Sequence, residues 1–161
     1  MSLPAVTVSQ SPEEKFREYL ASRDKPQRFT EQQRELLAHV FARHKHFDAK
    51  ELIEDLKAAK KNVSRATVYR TLTSLVDAGL LRRIELGDRT VYDHDYGYPA
   101  HDHLVCEKCH SMEEFQSKEL EALLEKVAAE NQFRIEGHTL VIRGVCAACN
   151  AARAAKHRFV M

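Results

Sequence analysis

Residues 64–93 read SRATVYRTLTSLVDAGLLRRIELGDRTVYD. Ser64 is placed to cap a helix, and Val68, Leu72, Leu75 and Val76 fall on one face of it. Gly79 can end that helix in the left-handed conformation. The next residues read as strand, turn, strand: Leu80–Glu85, then Leu86–Arg89, then Thr90–Asp93. A helix closely preceded by another and followed at once by a β-hairpin is a winged helix-turn-helix. A plain helical bundle would leave the hairpin unexplained.

Upstream, three more helix starts carry their own caps. Ser11-Pro12-Glu13-Glu14 combines an N-cap, a proline at the first position and a capping-box glutamate. Thr30 with Gln33 and Asp48 with Glu51 repeat the pattern. Phe16, Tyr19 and Leu20, then Leu36, Leu37, Val40 and Phe41, then Leu52, Ile53 and Leu56 supply the inward faces. Residues 1–12 are expected to be a disordered N-terminus and 13–93 the winged-helix domain. Tyr96-Gly97-Tyr98-Pro99 marks a hinge over 94–100.

Residues 101–161 form a second, α/β domain, so the fold class is α+β. Its expected strands are His103–Glu107, Met112–Gln116, Phe133–Ile135 and Thr139–Val145. A helix is expected over Lys118–Asn131 with Leu120, Leu123, Leu124 and Val127 turned inward, and an Ala-rich helix over Ala147–Lys156.

The fourth helix turns Thr67, Arg70, Thr73 and Ser74 outward, with Tyr69 on the flank. Such a set can donate to phosphates or base edges, and Arg suits a guanine edge. A solvated helix face is the plainer reading. The winged-helix context, with Lys25, Arg28, Arg34, Lys60, Lys61 and Arg89 near in sequence, favours DNA. Charge agrees: residues 1–92 hold 17 Lys and Arg against 13 Asp and Glu, whereas residues 93–161 hold 8 against 11. No apolar run approaches the roughly 20 residues of a membrane span, and Met1–Gln10 lacks a secretory pattern, so an intracellular, cytoplasmic protein is expected.

Cys106-Glu-Lys-Cys109 and Cys146-Ala-Ala-Cys149 are separated by 36 residues. Two such pairs in a reducing compartment suit a tetrahedral zinc held by four thiolates. Redox-active pairs or idle buried thiols are the alternatives. With all four positions filled by protein, this zinc would be a staple and not a catalyst. His101-Asp102-His103 is a second cluster. On a strand, residues i and i+2 point the same way, so both imidazoles can face one metal, beside Asp93, Glu113 and Glu114.

Together these motifs resemble the ferric uptake regulator family, over about residues 13–153. The most specific parts are Ser64–Leu72, His101–Cys109, Glu113-Glu-Phe115, Gly137-His-Thr-Leu and Gly144–Cys149. The resemblance implies a homodimer, with 101–161 as its dimerisation domain, binding palindromic double-stranded operators when metal-loaded. It implies structural zinc at Cys106, Cys109, Cys146 and Cys149. It implies a regulatory metal at His46, Asp93, His101, His103 and Glu114, and a further site some members carry at Asp102, Glu121 and His138. Taken alone, His46 reads as a loop histidine. Ligands from both sides of the hinge would let a metal fix the angle between the domains. In a dimer that angle sets the spacing of the reading helices, which must match half-sites about one DNA turn apart.

Two departures stand out. Ala100 occupies a position where members with the further site usually have histidine. Gln33 stands where an arginine is expected, with Arg34 following. Three imidazoles and two carboxylates suit borderline divalent ions, and raw affinity follows the Irving–Williams order, so affinity alone does not name the metal. No cysteine matches the regulatory ligands, which argues against a zinc-responsive member, and Glu114 replaces the aspartate of peroxide sensors. Iron is the expected effector, with zinc, manganese or peroxide sensing as alternatives. An enzyme is not expected: the His-x-Glu and Pro-Cys-x-x-Cys of zinc deaminases and the His-Glu-x-x-His of metalloproteases are all missing.

Overall fold

The computed structural model describes residues 7–43 and 45–151. The chain divides between Pro99 and Ala100 into two compact units. The first holds α1 (Pro12–Ser22), α2 (Glu31–Phe41), α3 (Ala49–Ala58), α4 (Arg65–Asp77), β1 (Leu81–Leu86) and β2 (Arg89–His94). Each helix begins where its cap is. Ser11, Thr30 and Asp48 close full capping boxes with Glu14, Gln33 and Glu51, and the Ser64 hydroxyl accepts the Thr67 N–H.

The helices pack around Phe16, Leu20, Leu36, Val40, Leu52 and Leu72, all fully buried. On α4 the buried set is Val68, Thr71, Leu72 and Leu75, while Val76 is only partly buried. Thr71 completes the i, i+3, i+4, i+7 spacing that geometry demands. Val76 lies one step round the helix and is the lesser core residue despite its apolar side chain.

Gly79 ends α4 with φ +64°. The Leu80 N–H donates to Leu75 O and the Gly79 N–H to Val76 O, at 2.9 Å each, which is a Schellman close. Leu80 therefore belongs to the helix cap, and β1 starts one residue later than expected. The β1–β2 turn is tighter than the expected four residues. Leu86 pairs with Arg89, so Gly87-Asp88 alone makes the connection. Gly87 has φ +67° and Asp88 has no positive φ, as a type II′ turn requires.

The second unit holds β3 (Asp102–Cys106), β4 (Met112–Phe115), α5 (Lys118–Glu130) and β5 (Val141–Gly144). The strand order is β4-β3-β5, with β3 antiparallel to β4 and parallel to β5. Residues 147–151 turn into a short helix; the rest of the tail helix expected to Lys156 lies outside the described residues, as do residues 1–6 of the expected disordered terminus.

Two expectations fail here. Residues 133–135 form no strand, and Phe133 is 71% exposed. A strand needs a ladder partner, and none among the described residues pairs with this segment. The stripe on α5 is not turned inward either: α5 buries no residue, and Leu123 and Val127 are 55% and 47% exposed. The apolar period predicts which face wants cover. It does not say that the same chain supplies it.

Candidate metal centres and nucleic-acid face

β3 ends at Cys106, and the chain reverses through Cys109. The His110 N–H returns to Cys106 O at 2.9 Å, with His110 at φ +58°. The parallel register then brings β5 alongside, with the Glu107 N–H on Gly144 O at 2.8 Å, so Cys146 arrives at the same corner. All four sulfurs lie within 4.8 Å of one another, and Cys109 Sγ is 3.7 Å from Cys146 Sγ. A tetrahedron with metal–sulfur bonds of about 2.3 Å has edges of roughly 3.8 Å, so this spacing fits zinc.

Electrostatics point the same way. The Cys146 and Lys108 N–H groups both donate to Cys106 Sγ at 3.4 Å. Together with the Cys109 N–H they stabilise the thiolate and pull its pKa down to about 6, the Cys146 N–H contributing most and Cys109 next. Cys149, hydrogen-bonded to the Cys109 and Cys146 sulfurs, is pushed up to about 12. Four thiols this close do not all ionise without a cation among them. The donor set fits a structural zinc and leaves it no open position.

In the first unit, Phe47 and Tyr92 form a two-residue antiparallel bridge. The Phe47 N–H donates to Tyr92 O at 3.2 Å and the Tyr92 N–H to Phe47 O at 2.8 Å. Their rings stack at 5.8 Å. The bridge carries the adjacent residues with it, so His46 Nε2 lies 3.4 Å from the carboxylate of buried Asp93. In the second unit, His101 and His103 are both buried, with ring centroids 5.0 Å apart. Glu114 stands opposite His103 in the β3–β4 register and so shares its face.

Asp102 points to the other face of β3. It accepts the Leu140 N–H at 3.1 Å through one oxygen, and its other oxygen lies 3.1 Å from His138 Nε2. Glu121, in the first turn of α5, is not gathered with them at ligand distance.

On α4, Tyr69 is half exposed and Arg70 and Thr73 are exposed. Arg70 Nε donates to Ala66 O at 3.3 Å, which leaves the terminal guanidinium nitrogens to reach outward. Thr73 donates back to Tyr69 O, and Thr67 donates to Gln32 Oε1. A groove of about 570 Å³ runs beside this face, lined by Lys50, Tyr69, Thr73, Arg83, Thr90 and Tyr92 among others. Lys25 and Arg28 are exposed on the segment between α1 and α2. Arg89 is engaged elsewhere: it pairs with Asp48 at 2.9 Å and Glu51 at 2.8 Å, fastening the wing to the start of α3.

The ferric uptake regulator family matches residues 25–143 of this chain. The chain belongs to that family. The ferric uptake regulation protein of Neisseria gonorrhoeae is 40% identical over 116 residues, which cover 70% of this chain and 79% of that one. A ferric uptake regulator from Francisella tularensis, solved with iron, gives a TM-score of 0.66 at 28% identity, covering 80% of this chain and 98% of its own. A zinc-bound manganese uptake regulator gives 0.58 at 35% identity, covering 85% and 99%. The chain is thus a metal-responsive transcriptional regulator and not an enzyme. Regulators of this family dimerise and bind DNA.

The family member also contains features the sequence did not disclose. Read alone, His46 is a loop histidine, and only the resemblance sets it with Asp93; the structure adds Phe47 and Tyr92, the aromatic pair that braces the two segments. Gln32 belongs to no local motif, because its contact with Thr67 crosses between helices. The position of the missing arginine is also explained. Gln33 caps α2, accepting the Thr30 N–H at 2.9 Å, and Arg34 pairs with Glu13 at 3.5 Å and Glu31 at 3.4 Å. Among the described residues, no helix is long and apolar enough to cross a membrane.

Proposed function

We propose that this regulator is a cytoplasmic homodimer that represses transcription by binding palindromic operators when loaded with Fe2+. The observation that carries this reading is the pair of imidazole–carboxylate sets, one in each unit, buried or partly buried: His46 with Asp93, and His101 and His103 with Glu114. These five residues would hold the regulatory ion, and Cys106, Cys109, Cys146 and Cys149 the structural zinc. A divalent ion would accept lone pairs from three imidazoles and supply positive charge to the two carboxylates. His46 and Asp93 report to the DNA-binding unit through the Phe47–Tyr92 bridge and β2. His101, His103 and Glu114 report to the sheet of the second unit. Only a conformation that lets both sets reach one ion gains its binding energy, so the ion selects that conformation by differential affinity.

Tyr69, Arg70, Thr67 and Thr73 form the operator-facing surface, with Lys25 and Arg28 as phosphate contacts. Thr67 acts through its hydrogen bonds, because its hydroxyl proton is already directed at Gln32. A third ion at Asp102, Glu121 and His138 would have to displace the Leu140 and His138 contacts of Asp102 and draw in Glu121. With Ala100 offering no ligand, it would bind more weakly than the other two. Iron rests on the family's iron-regulating relatives and on the absence of cysteine from the regulatory set. The similar manganese uptake regulator makes Mn2+ the specific alternative.

The test is selection of binding duplexes from a random pool at buffered free Fe2+, Mn2+ or Zn2+. Palindromic sequences enriched at the lowest physiological level with Fe2+ support the reading. Enrichment with Mn2+ or Zn2+ alone reassigns the effector, and enrichment without added regulatory metal rejects metal dependence.

A further inference from the structure

α2 and α4 touch through a chain of hydrogen bonds at the exposed surface. Ser64 Oγ lies 2.8 Å from Thr67 Oγ1, and Thr67 Oγ1 lies 3.1 Å from Gln32 Oε1. A carbonyl oxygen cannot donate, so the Thr67 proton goes to Gln32. The Ser64 hydroxyl must then donate to Thr67, while its oxygen accepts the Thr67 N–H at 3.1 Å. The order of donors is fixed along the whole chain. With Gln32 Oε1 on Thr67, the NH2 group of the same amide faces away. Gln32 is exposed, and that nitrogen has no partner among the described residues.

Thr67, Arg70 and Thr73 recur every three residues along α4 and share a face. Gln32 extends that face sideways, from another helix. The next two residues in sequence are occupied: Gln33 in the α2 cap and Arg34 with Glu13 and Glu31. We propose that Gln32 is a DNA-contact residue that donates its oriented amide N–H groups to a backbone phosphate flanking the bases read by α4. This rests on the assignment of α4 as the operator-reading helix. A phosphate suits the position because the group only donates, lies beside the reading helix and not on it, and would meet an acceptor whatever the sequence.

The experiment measures binding of the metal-loaded dimer to a selected operator and to a scrambled duplex of equal length, over a range of salt. Gln32→Ala is expected to weaken both by the same factor, roughly three- to tenfold for one neutral hydrogen bond. The slope of log affinity against log salt should not change, because a neutral donor releases no counterion. Gln32→Glu should lose more, since a carboxylate repels the phosphate. Thr67→Val frees the amide and should lose part of the effect. None of these positions is in the core, so folding is not at stake. Unchanged affinity of Gln32→Ala on both duplexes, or a loss confined to the operator, overturns the phosphate contact. Arg70→Ala separates the two levels. If it loses operator affinity while Gln32→Ala is silent, only this contact fails. If both are silent, the reading of α4 fails with it.

Discussion

Cys106 is the residue on which the second unit turns. Three backbone N–H groups, of Cys146, Cys109 and Lys108, pull its pKa down to about 6, yet Cys149 beside it is pushed up to about 12, so the corner resists full ionisation until a cation neutralises it. Metal binding and folding are therefore coupled, on the order of 10 kcal/mol for structural zinc near neutral pH. Cys106→Ser is expected to release the zinc and, with it, the folded second unit. Zinc content and size-exclusion mass measured together check this, and a zinc-free variant that keeps its native melting curve would mean that the thiolate corner is not a staple. His39 shows a different kind of constraint. Its Nε2 is buried with no hydrogen-bond partner among the described residues, and burial, followed by Arg43 and Lys61, holds its pKa below 6.5. The unfolded chain takes up the proton first, so the first unit is expected to lose stability as pH falls through about 6.5 and to recover it above. Chemical denaturation between pH 7.5 and 5.5 on the parent and on His39→Phe tests the sign: the parent's midpoint should drop more than the variant's.

At the scale of elements, α5 carries the clearest debt to something outside one chain. Its stripe of Leu123 and Val127 is exposed, and so is Phe133 just beyond it. A second copy of the chain would cover it. Leu123→Glu with Val127→Glu should shift sedimentation from dimer to monomer while leaving the first unit's helical signal intact; a persistent dimer would place the interface elsewhere. The same helix marks the limit of what the sequence disclosed. Helix starts were legible because a cap is a local contract between residues three apart, and Ser11, Thr30, Asp48 and Ser64 all honour it. The thiolate corner was legible from spacing alone. The Phe133–Ile135 strand and the inward face of α5 were misread because apolar patterning reports a need for burial and not the partner that meets it. Thr71 and not Val76 is buried because position on the helix outranks the polarity of the side chain. His46 and Gln32 carry no short motif of their own: only the family resemblance pairs His46 with Asp93, and the contact of Gln32 with Thr67 is set by packing between elements.

Across the whole molecule, the excess of Lys and Arg sits in residues 1–92 and the excess of Asp and Glu in residues 93–161. The basic unit carries the exposed Tyr69–Arg70 face, and the other carries the four cysteines. Regulation requires that occupancy of the imidazole–carboxylate residues change affinity at α4, and that operator binding change metal affinity by the same factor. His101 is the residue that separates this coupling from everything else, since it belongs to neither the thiolate corner nor the DNA face. The decisive measurement is operator affinity with and without buffered Fe2+ for the parent and for His101→Ala, with dimer mass and zinc content recorded on the same samples. The parent should bind at least tenfold more tightly with Fe2+, and His101→Ala should show no such gain while keeping its dimer and its zinc. A variant that still gains tenfold with Fe2+ would contradict the account, because the metal would then be acting without the residues assigned to hold it.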